Sequence, residues 1–540
     1  MIESLSLEEL VAQMVVVRAS GYLCDHQIRY PAWEPKASQL QHWLQDLGVG
    51  GVLLVGGSAA ELTLRSQQLQ SWAKYPLLLA ADIEEGVGQR FPGATWFPPP
   101  MAIGAIAKKN LTKALHYAQE MGACTAKEAL AIGLNWILAP VVDVNNNPDN
   151  PVINVRSFGD NPKLVGQLAS AFIDGSHKYP VLTTAKHFPG HGDTAVDSHI
   201  ELPVLPHSAE RLEEIELPPF KDAIASGVDA VMTAHLLISA WDTTNPATLS
   251  HPILTGQLRQ NLGFEGLIVT DALVMGAIQN QYGIDEAPIL AVEAGADIIL
   301  MPVDPEVAIE SVCNAVKEGR ISLERIKESV KRIWEAKAKV GLSLQKNLES
   351  NLETQTTSPL CLRAPLFDLP YGETTSEEIL RDSLRVGGFV PWKYNKTSGI
   401  KYLRNLILID DAIGREFLIH QAPAIRFPEK LGFQLQIIDR HTRLIPDMTE
   451  HSEDLYPTLL QVFIRGNPFR GNADIIQAAQ DWLKKLLRTG ELQATVIYGS
   501  PYLLDSFVPL FPQGFPYVFS YGQMPRAQAI ALKTLFNLEP

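Results

Sequence analysis

The chain has 540 residues, 46% hydrophobic and 19% charged, a balance that suits large buried cores and excludes a disordered or fibrous polymer. At about 100–200 residues per domain, this length admits roughly three units, or one large barrel with a companion. With 60 acidic against 45 basic residues the net charge is -15; no lysine or arginine run offsets it, so nucleic acid is not an expected partner.

The first ten residues, MIESLSLEEL, are acidic and read as a capped amphipathic helix. No basic segment precedes an apolar core there, so no export signal is expected. No apolar stretch of about 18 residues occurs, so no membrane partner is expected either, and the cytoplasm is the expected compartment. Cys24, Cys124, Cys313 and Cys361 lie far apart, fit no metal or redox spacing, and are expected to be buried free thiols.

Short apolar runs rich in β-branched residues recur at 13–17, 51–55, 76–82, 136–140, 181–186, 230–235, 267–271 and 296–301. Continuous apolar runs suit strands buried on both faces of a parallel sheet, and intervening segments such as 219–226 and 305–317 have helical periodicity. Eight such units argue for an α/β fold, a closed (β/α)8 TIM barrel over residues 1–342, with an open doubly wound sheet as the competing arrangement. Gly48, Gly50, Gly51, Gly56 and Gly57 do not have the dinucleotide spacing and read as turns.

A charged helix over 322–340 closes this region, and 343–359 is polar without an apolar period, as in a linker. Strands are expected at 406–409, 433–438, 459–464, 494–498 and 517–520, with a helix at 474–488. Residues 360–540 therefore read as a smaller C-terminal α/β sandwich domain, whose polar residues suggest no chemistry.

Asp82, Lys186, His235 and Asp271 each end a predicted strand, where a barrel carries its active-site loops. The densest polar run, KHFPGHGDTAVDSH at 186–199, follows one of those strand ends and breaks at once into Pro and Gly, so it reads as a loop. Its histidines and aspartates could in principle ligate zinc, but Pro189 and Gly190 between His187 and His191 exclude the two-histidine helical face of the zincins. Asp197 and His199 flank Ser198, so in an extended segment they share one face and can hydrogen-bond. Such a pair serves either general acid/base chemistry or the tying of a loop.

Residues 186–192, followed by Asp197-Ser198-His199 and Leu202-Pro203, resemble the signature of glycoside hydrolase family 3, most closely its NagZ-like β-N-acetylglucosaminidase branch. The resemblance implies a His199–Asp197 general acid/base pair. It assigns the nucleophile to Asp271, within VTDALVM at 269–275, and sugar binding to Arg156, Lys186 and His187. DIEEG at 82–86 with Arg90 resembles the segment in which an aspartate and an arginine hold the distal hydroxyls, which falls on Asp82 and Arg90; Glu85 stands where the family carries glycine. Asp143 is expected to be structural, capping a loop or holding an arginine, and His235 is unassigned.

The implied reaction is retaining exo-hydrolysis of a terminal β-linked N-acetylglucosamine from peptidoglycan fragments through a glycosyl-enzyme, with neither metal nor organic cofactor. β-Glucosidase or phosphorylase chemistry on the same fold, a metal-dependent barrel hydrolase and a non-catalytic sugar-binding protein are the alternatives.

Overall fold

The computed structural model describes residues 2–194, 202–342, 370–392, 402–442, 456–465 and 473–538. Asp197, His199, Cys361 and the expected linker 343–359 lie outside the described residues. The chain divides into two compact units, one of Met1–Phe97, Asn110–Asn150 and Arg156–Glu373, the other of Pro98–Lys109, Pro151–Val155 and Thr374–Pro540. Two short pieces embedded in the first stretch of sequence thus cluster with the second unit.

In the first unit the expected apolar runs form strands; most are shorter than expected, while those at 13–17 and 181–186 shift toward the carboxyl end. Ile299–Leu300, Val15–Ser20, Gly51–Val55, Leu78–Ala81 and Trp136–Ile137 lie side by side in that order. A second sheet runs Thr184–Phe188, Ala230–Thr233, Leu267–Val269. Every pairing in these two sheets is parallel, and single bridges, Trp136 to Leu182 and Val269 to Ile298, link their outer strands. Residues facing either way along Leu78–Ala81, Ala230–Thr233 and Leu267–Val269 are buried, which explains why these strands lack polar alternation. This is an α/β fold, and its parallel strands bring their carboxyl ends to one edge.

Helices between the strands begin where the sequence supplies caps. Ser6 and Glu9 form a capping box at the start of Leu7–Gln13, so the first helix starts later than the acidic decapeptide suggests. Ser322 caps Leu323–Lys339 and Asp304 caps Pro305–Lys317. A short parallel pair, Val204–Leu205 with Leu237–Ile238, was not legible in two-residue runs. Among the described residues no helix is long and apolar enough to cross a membrane.

The second unit holds a six-stranded sheet in the order Arg385–Gly387, Tyr517–Ser520, Leu492–Gly499, Thr458–Ile464, Leu403–Ile409, Phe433–Ile438. All its pairs are parallel except that of the Arg385–Gly387 edge, a three-residue strand too short to be expected from the sequence. The expected helix is Ala473–Thr489; Glu373–Ser383, Pro423–Lys430, Pro501–Phe507 and Pro525–Phe536 are additional. The cysteine expectation needs correction: Cys313 is buried, but Cys124 is only partly so and Cys24 is exposed, because it sits in the loop after the first strand.

One buried lysine carries a measurable consequence. Lys337, on the helix Leu323–Lys339, is fully buried, donates to Gln13 Oε1 at 2.8 Å and lies 4.6 Å from the Trp334 ring centre. Burial pulls its ammonium down from 10.5 to about 7. Between those values the unfolded chain binds a proton that the folded protein does not, so this residue makes stability rise with pH across the window and withholds that contribution below about 7. Lys337→Met is expected to flatten the slope of denaturation free energy against pH between 7 and 10 by about 1 kcal/mol per pH unit; equal slopes in the two proteins would contradict it.

Candidate functional site

The polar residues singled out from the sequence stand at or just past the carboxyl ends of the first unit's strands. Asp82 follows Leu78–Ala81, Lys186 and His187 lie within Thr184–Phe188, and Asp271 comes two residues after Leu267–Val269. Consecutive strand residues ordinarily face opposite ways. Here Lys186 pairs with Met232 and Phe188 with Thr233, which leaves His187 as the extra residue of a bulge. A bulge re-aims a side chain, and Lys186 and His187 both reach the same polar cluster.

Glu84 is the centre of that cluster. Its carboxylate accepts from Arg156 Nε at 2.8 Å and Nη2 at 2.7 Å, and lies 2.7 Å from Lys186 Nζ. Lys186 Nζ also donates to Asp82 Oδ1 at 2.8 Å. Lys186 is 1% exposed and Glu84 4%, so neither charge could remain there without the other. Burial alone would raise the Glu84 carboxyl, but Arg156 and Lys186 hold it well below its ordinary value. For Asp82 burial is likewise outweighed, by Lys186 and then Arg90, and its pKa is lowered. Burial disfavours the Lys186 and Arg156 cations, yet the two carboxylates more than offset it and both are raised.

Arg90 is exposed and donates from Nε to the Asp82 carbonyl at 3.0 Å, so it stands beside the cluster at its solvent side. Glu85, in the family's glycine position, needs no left-handed backbone: that conformation falls on Gly86, at φ 83°. The Glu85 side chain turns inward and accepts from Trp96 Nε1 at 2.9 Å. Sequence reading missed Glu84 altogether; an acid two residues beyond Asp82 was a signal, but nothing in the spacing showed which cations it would meet.

Asp143 organises the loop after His187. Its Oδ2 accepts from His187 Nδ1 at 2.8 Å and its Oδ1 from the backbone N–H of His187 at 3.1 Å and of His191 at 2.7 Å. The expected structural role thus takes the form of a loop tie to two histidines. With Nδ1–H given to Asp143, the other ring nitrogen of His187, Nε2, stands 3.5 Å from Arg156 Nη2. Burial would raise the Asp143 carboxyl, but His187 outweighs it and the pKa is lowered. Gly192 is required by close approach, since a Cβ there would come 1.8 Å from the Val144 carbonyl oxygen. Asn150 Nδ2 fastens the same turn, donating to the His191 carbonyl at 2.8 Å.

Asp271 is half-buried, and its Oδ1 accepts from the Ala272 backbone N–H at 2.7 Å. Its charge reaches His191, whose ring stands 6.2 Å from that of His187 and whose pKa burial pushes down to about 4. His191 is therefore neutral at physiological pH. His235 is fully buried beneath the loop that follows Asp271. The structure thus gathers Asp82, Lys186, Arg156 and His187 into one polar network, sets Arg90 at its edge and places Asp271 at a strand end of the same unit.

Replacing Glu84 by Gln leaves two buried cations short of a counter-charge. Glu84→Gln is expected to cost about 3 kcal/mol in chemical denaturation at pH 7. Because the Glu84 pKa is depressed, its contribution is full above its ordinary value of 4.5 and drains away as pH falls below it, so the two proteins should converge in acid. A pH-independent difference would contradict the ionic account.

Residues 6–336 match the Glycosyl hydrolase family 3 N terminal domain, and residues 396–537 the Bacterial Glycosyl hydrolase family 3 C-terminal domain. Beta-hexosaminidase A of Pseudoalteromonas piscicida is 35% identical over 348 residues, which is 60% of this chain and 58% of that protein. The chain therefore spans less than two thirds of that relative's length. The Beta-hexosaminidase of Tolumonas auensis is 39% identical over 256 residues, 47% of this chain and 75% of that one. A solved glycoside hydrolase family 3 beta-N-acetylglucosaminidase from Paenibacillus sp. str. FPU-7 superposes with a TM-score of 0.75 at 27% identity, covering 99% of this chain and 97% of that one. With its N-terminal domain match alone taking in more than half of the residues, the chain belongs to glycosyl hydrolase family 3.

Proposed function

We propose that the protein is a retaining exo-β-N-acetylglucosaminidase, acting through Asp271 as nucleophile. The observation that carries this reading is a half-buried carboxylate two residues past a strand end, in the unit whose strand ends also carry the Lys186–Glu84–Arg156 network. Two hexosaminidase relatives at 35% and 39% identity support the substrate class. In this reading the bridges from Trp136 to Leu182 and from Val269 to Ile298 close the two parallel sheets into a (β/α)8 barrel, and the strand ends form its mouth. Catalysis then belongs to residues 1–342, with 360–540 as a companion of unassigned role.

In the first displacement an Asp271 oxygen bonds to the anomeric carbon as the bond to the aglycone oxygen breaks, and the departing oxygen takes a proton. His199, oriented by Asp197, is the proposed donor, and afterwards takes a proton from the water that releases the sugar. Asp82, with Arg90 beside it, accepts hydrogen bonds from distal hydroxyls, while Lys186, Arg156 and His187 present donors and an acceptor to the remaining ring oxygens. Because these groups are already held by Glu84 and Asp143, little reorganisation is needed when the sugar arrives. Peptidoglycan fragments in the cytoplasm are the substrate source and compartment that the branch resemblance implies.

Release of 4-nitrophenol from the β-N-acetylglucosaminide and the β-glucoside, with and without phosphate, tests the assignment. Hydrolysis of the N-acetyl sugar is expected to dominate, to be indifferent to phosphate and EDTA, and to fall by on the order of 10³-fold or more in Asp271→Asn. Preference for the glucoside would overturn the substrate, phosphate dependence the acceptor, and full activity in Asp271→Asn the nucleophile.

A further inference from the structure

The Asp271 backbone N–H and the Ala272 carbonyl are joined by a chain of hydrogen bonds through buried side chains that the reaction scheme does not use. The Asp271 backbone N–H donates to Thr233 Oγ1 at 3.3 Å. Thr233 Oγ1 lies 2.8 Å from Thr248 Oγ1, which lies 2.8 Å from His235 Nδ1. His235 Nε2 in turn stands 3.1 Å from the Ala272 carbonyl oxygen. Thr233, His235 and Thr248 are all 0% exposed.

Proton bookkeeping along this path gives one direction for the neutral ring. A carbonyl only accepts, so His235 Nε2 carries the hydrogen; in the neutral ring Nδ1 can then only accept, which directs the Thr248 hydrogen to it rather than to the Ala234 carbonyl oxygen, 3.0 Å from Thr248 Oγ1. Thr248 Oγ1 then receives the Thr233 hydroxyl, and Thr233 Oγ1 receives the Asp271 N–H. Each hydrogen is used once, and the path begins and ends on the residues whose backbone defines the nucleophile's position. Since the Ala272 N–H also donates to Asp271 Oδ1, fixing Ala272 at its carbonyl fixes the donor that orients the carboxylate. Thr248 arrives from a separate excursion, the short helix Ala247–Leu249, tied back where the Ala247 N–H donates to the Leu236 carbonyl at 2.7 Å.

We infer that Thr233, Thr248 and His235 are positioning residues that set the attack geometry of Asp271 without touching the sugar. The inference rests on Asp271 being the nucleophile. Attack forms the Asp271 oxygen–anomeric carbon bond while the leaving group departs with its electron pair, and its rate depends steeply on alignment: a shift of about 1 Å can cost about 10²-fold. Sugar binding, which falls on other residues, should not depend on the path.

The test measures glycosyl-enzyme formation with 2-acetamido-2-deoxy-5-fluoro-β-glucosyl fluoride, read as fluoride release and as the added mass on the protein. Inhibition by free N-acetylglucosamine is measured beside it. Thr248→Val, which keeps the shape and removes the hydroxyl, is expected to slow formation about 10²-fold while the inhibition constant changes less than about threefold. Thr248→Ser should restore the rate. Thr233→Val breaks the path at its other end and decides the matter if Thr248→Val does not fold. A purely structural role would lower thermal stability and leave the rate in the folded protein unchanged; that result in the valine variants, or a loss of sugar affinity matching the loss of rate, overturns the inference. A wild-type protein that forms no adduct overturns the assignment of function, and the inference with it, whereas an adduct formed equally fast by wild type and both valine variants overturns the inference alone.

Discussion

A carboxylate buried between two cations governs this site. Glu84 holds the Arg156 guanidinium on two nitrogens and the Lys186 ammonium on Oε1, and Lys186 reaches onward to Asp82. None of these charges is cheap to remove from water, and each is tolerable only because the others are present. The cluster therefore joins three segments distant in sequence: the end of the third strand, the 154–156 turn and the bulged fifth strand. A network of this kind contributes less to net stability than to fixing one arrangement of polar atoms. That arrangement is what a site reading hydroxyl positions requires.

Asp143 plays the complementary part with two histidines. It fastens His187 and His191 by side chain and backbone, and so fixes the tautomer of His187. Around it the Pro-Gly-His-Gly stretch folds so closely that Val144 leaves no space for a Cβ at Gly192. The two carboxylates divide the work: Glu84 sets where the cations stand, and Asp143 sets which nitrogen of the imidazole faces them.

How much of this was legible in the sequence depended on the range of the interaction. Strands such as Gly51–Val55 and helices such as Pro305–Lys317 are written in local composition and caps, and were read to within a few residues. Asp82, Lys186 and Asp271 were recognisable because a polar residue ending an apolar run has few purposes. Glu84 and Glu85 were not resolved, since one is explained by Arg156 and Lys186 and the other by Trp96, residues up to about a hundred positions away. The bulge at His187 was equally invisible, because it is defined by pairing with Met232 and Thr233 and by nothing in its own neighbours. For the Asp197–His199 pair, local spacing and resemblance are the arguments.

The membership of Pro98–Lys109 and Pro151–Val155 in the second unit has a consequence for how the protein can be cut and reassembled. A fragment beginning at residue 374 would lack two of the three stretches from which that unit is built. A fragment ending near residue 342 would carry both as orphans, with the apolar helix Pro100–Ala107 deprived of the residues it clusters with. On the ribosome the early pieces emerge hundreds of residues before the late one, so the unit is completed only long after its first pieces appear. The gene therefore encodes two compact bodies that do not correspond to two interchangeable cassettes, and shuffling by simple fusion is closed to this arrangement.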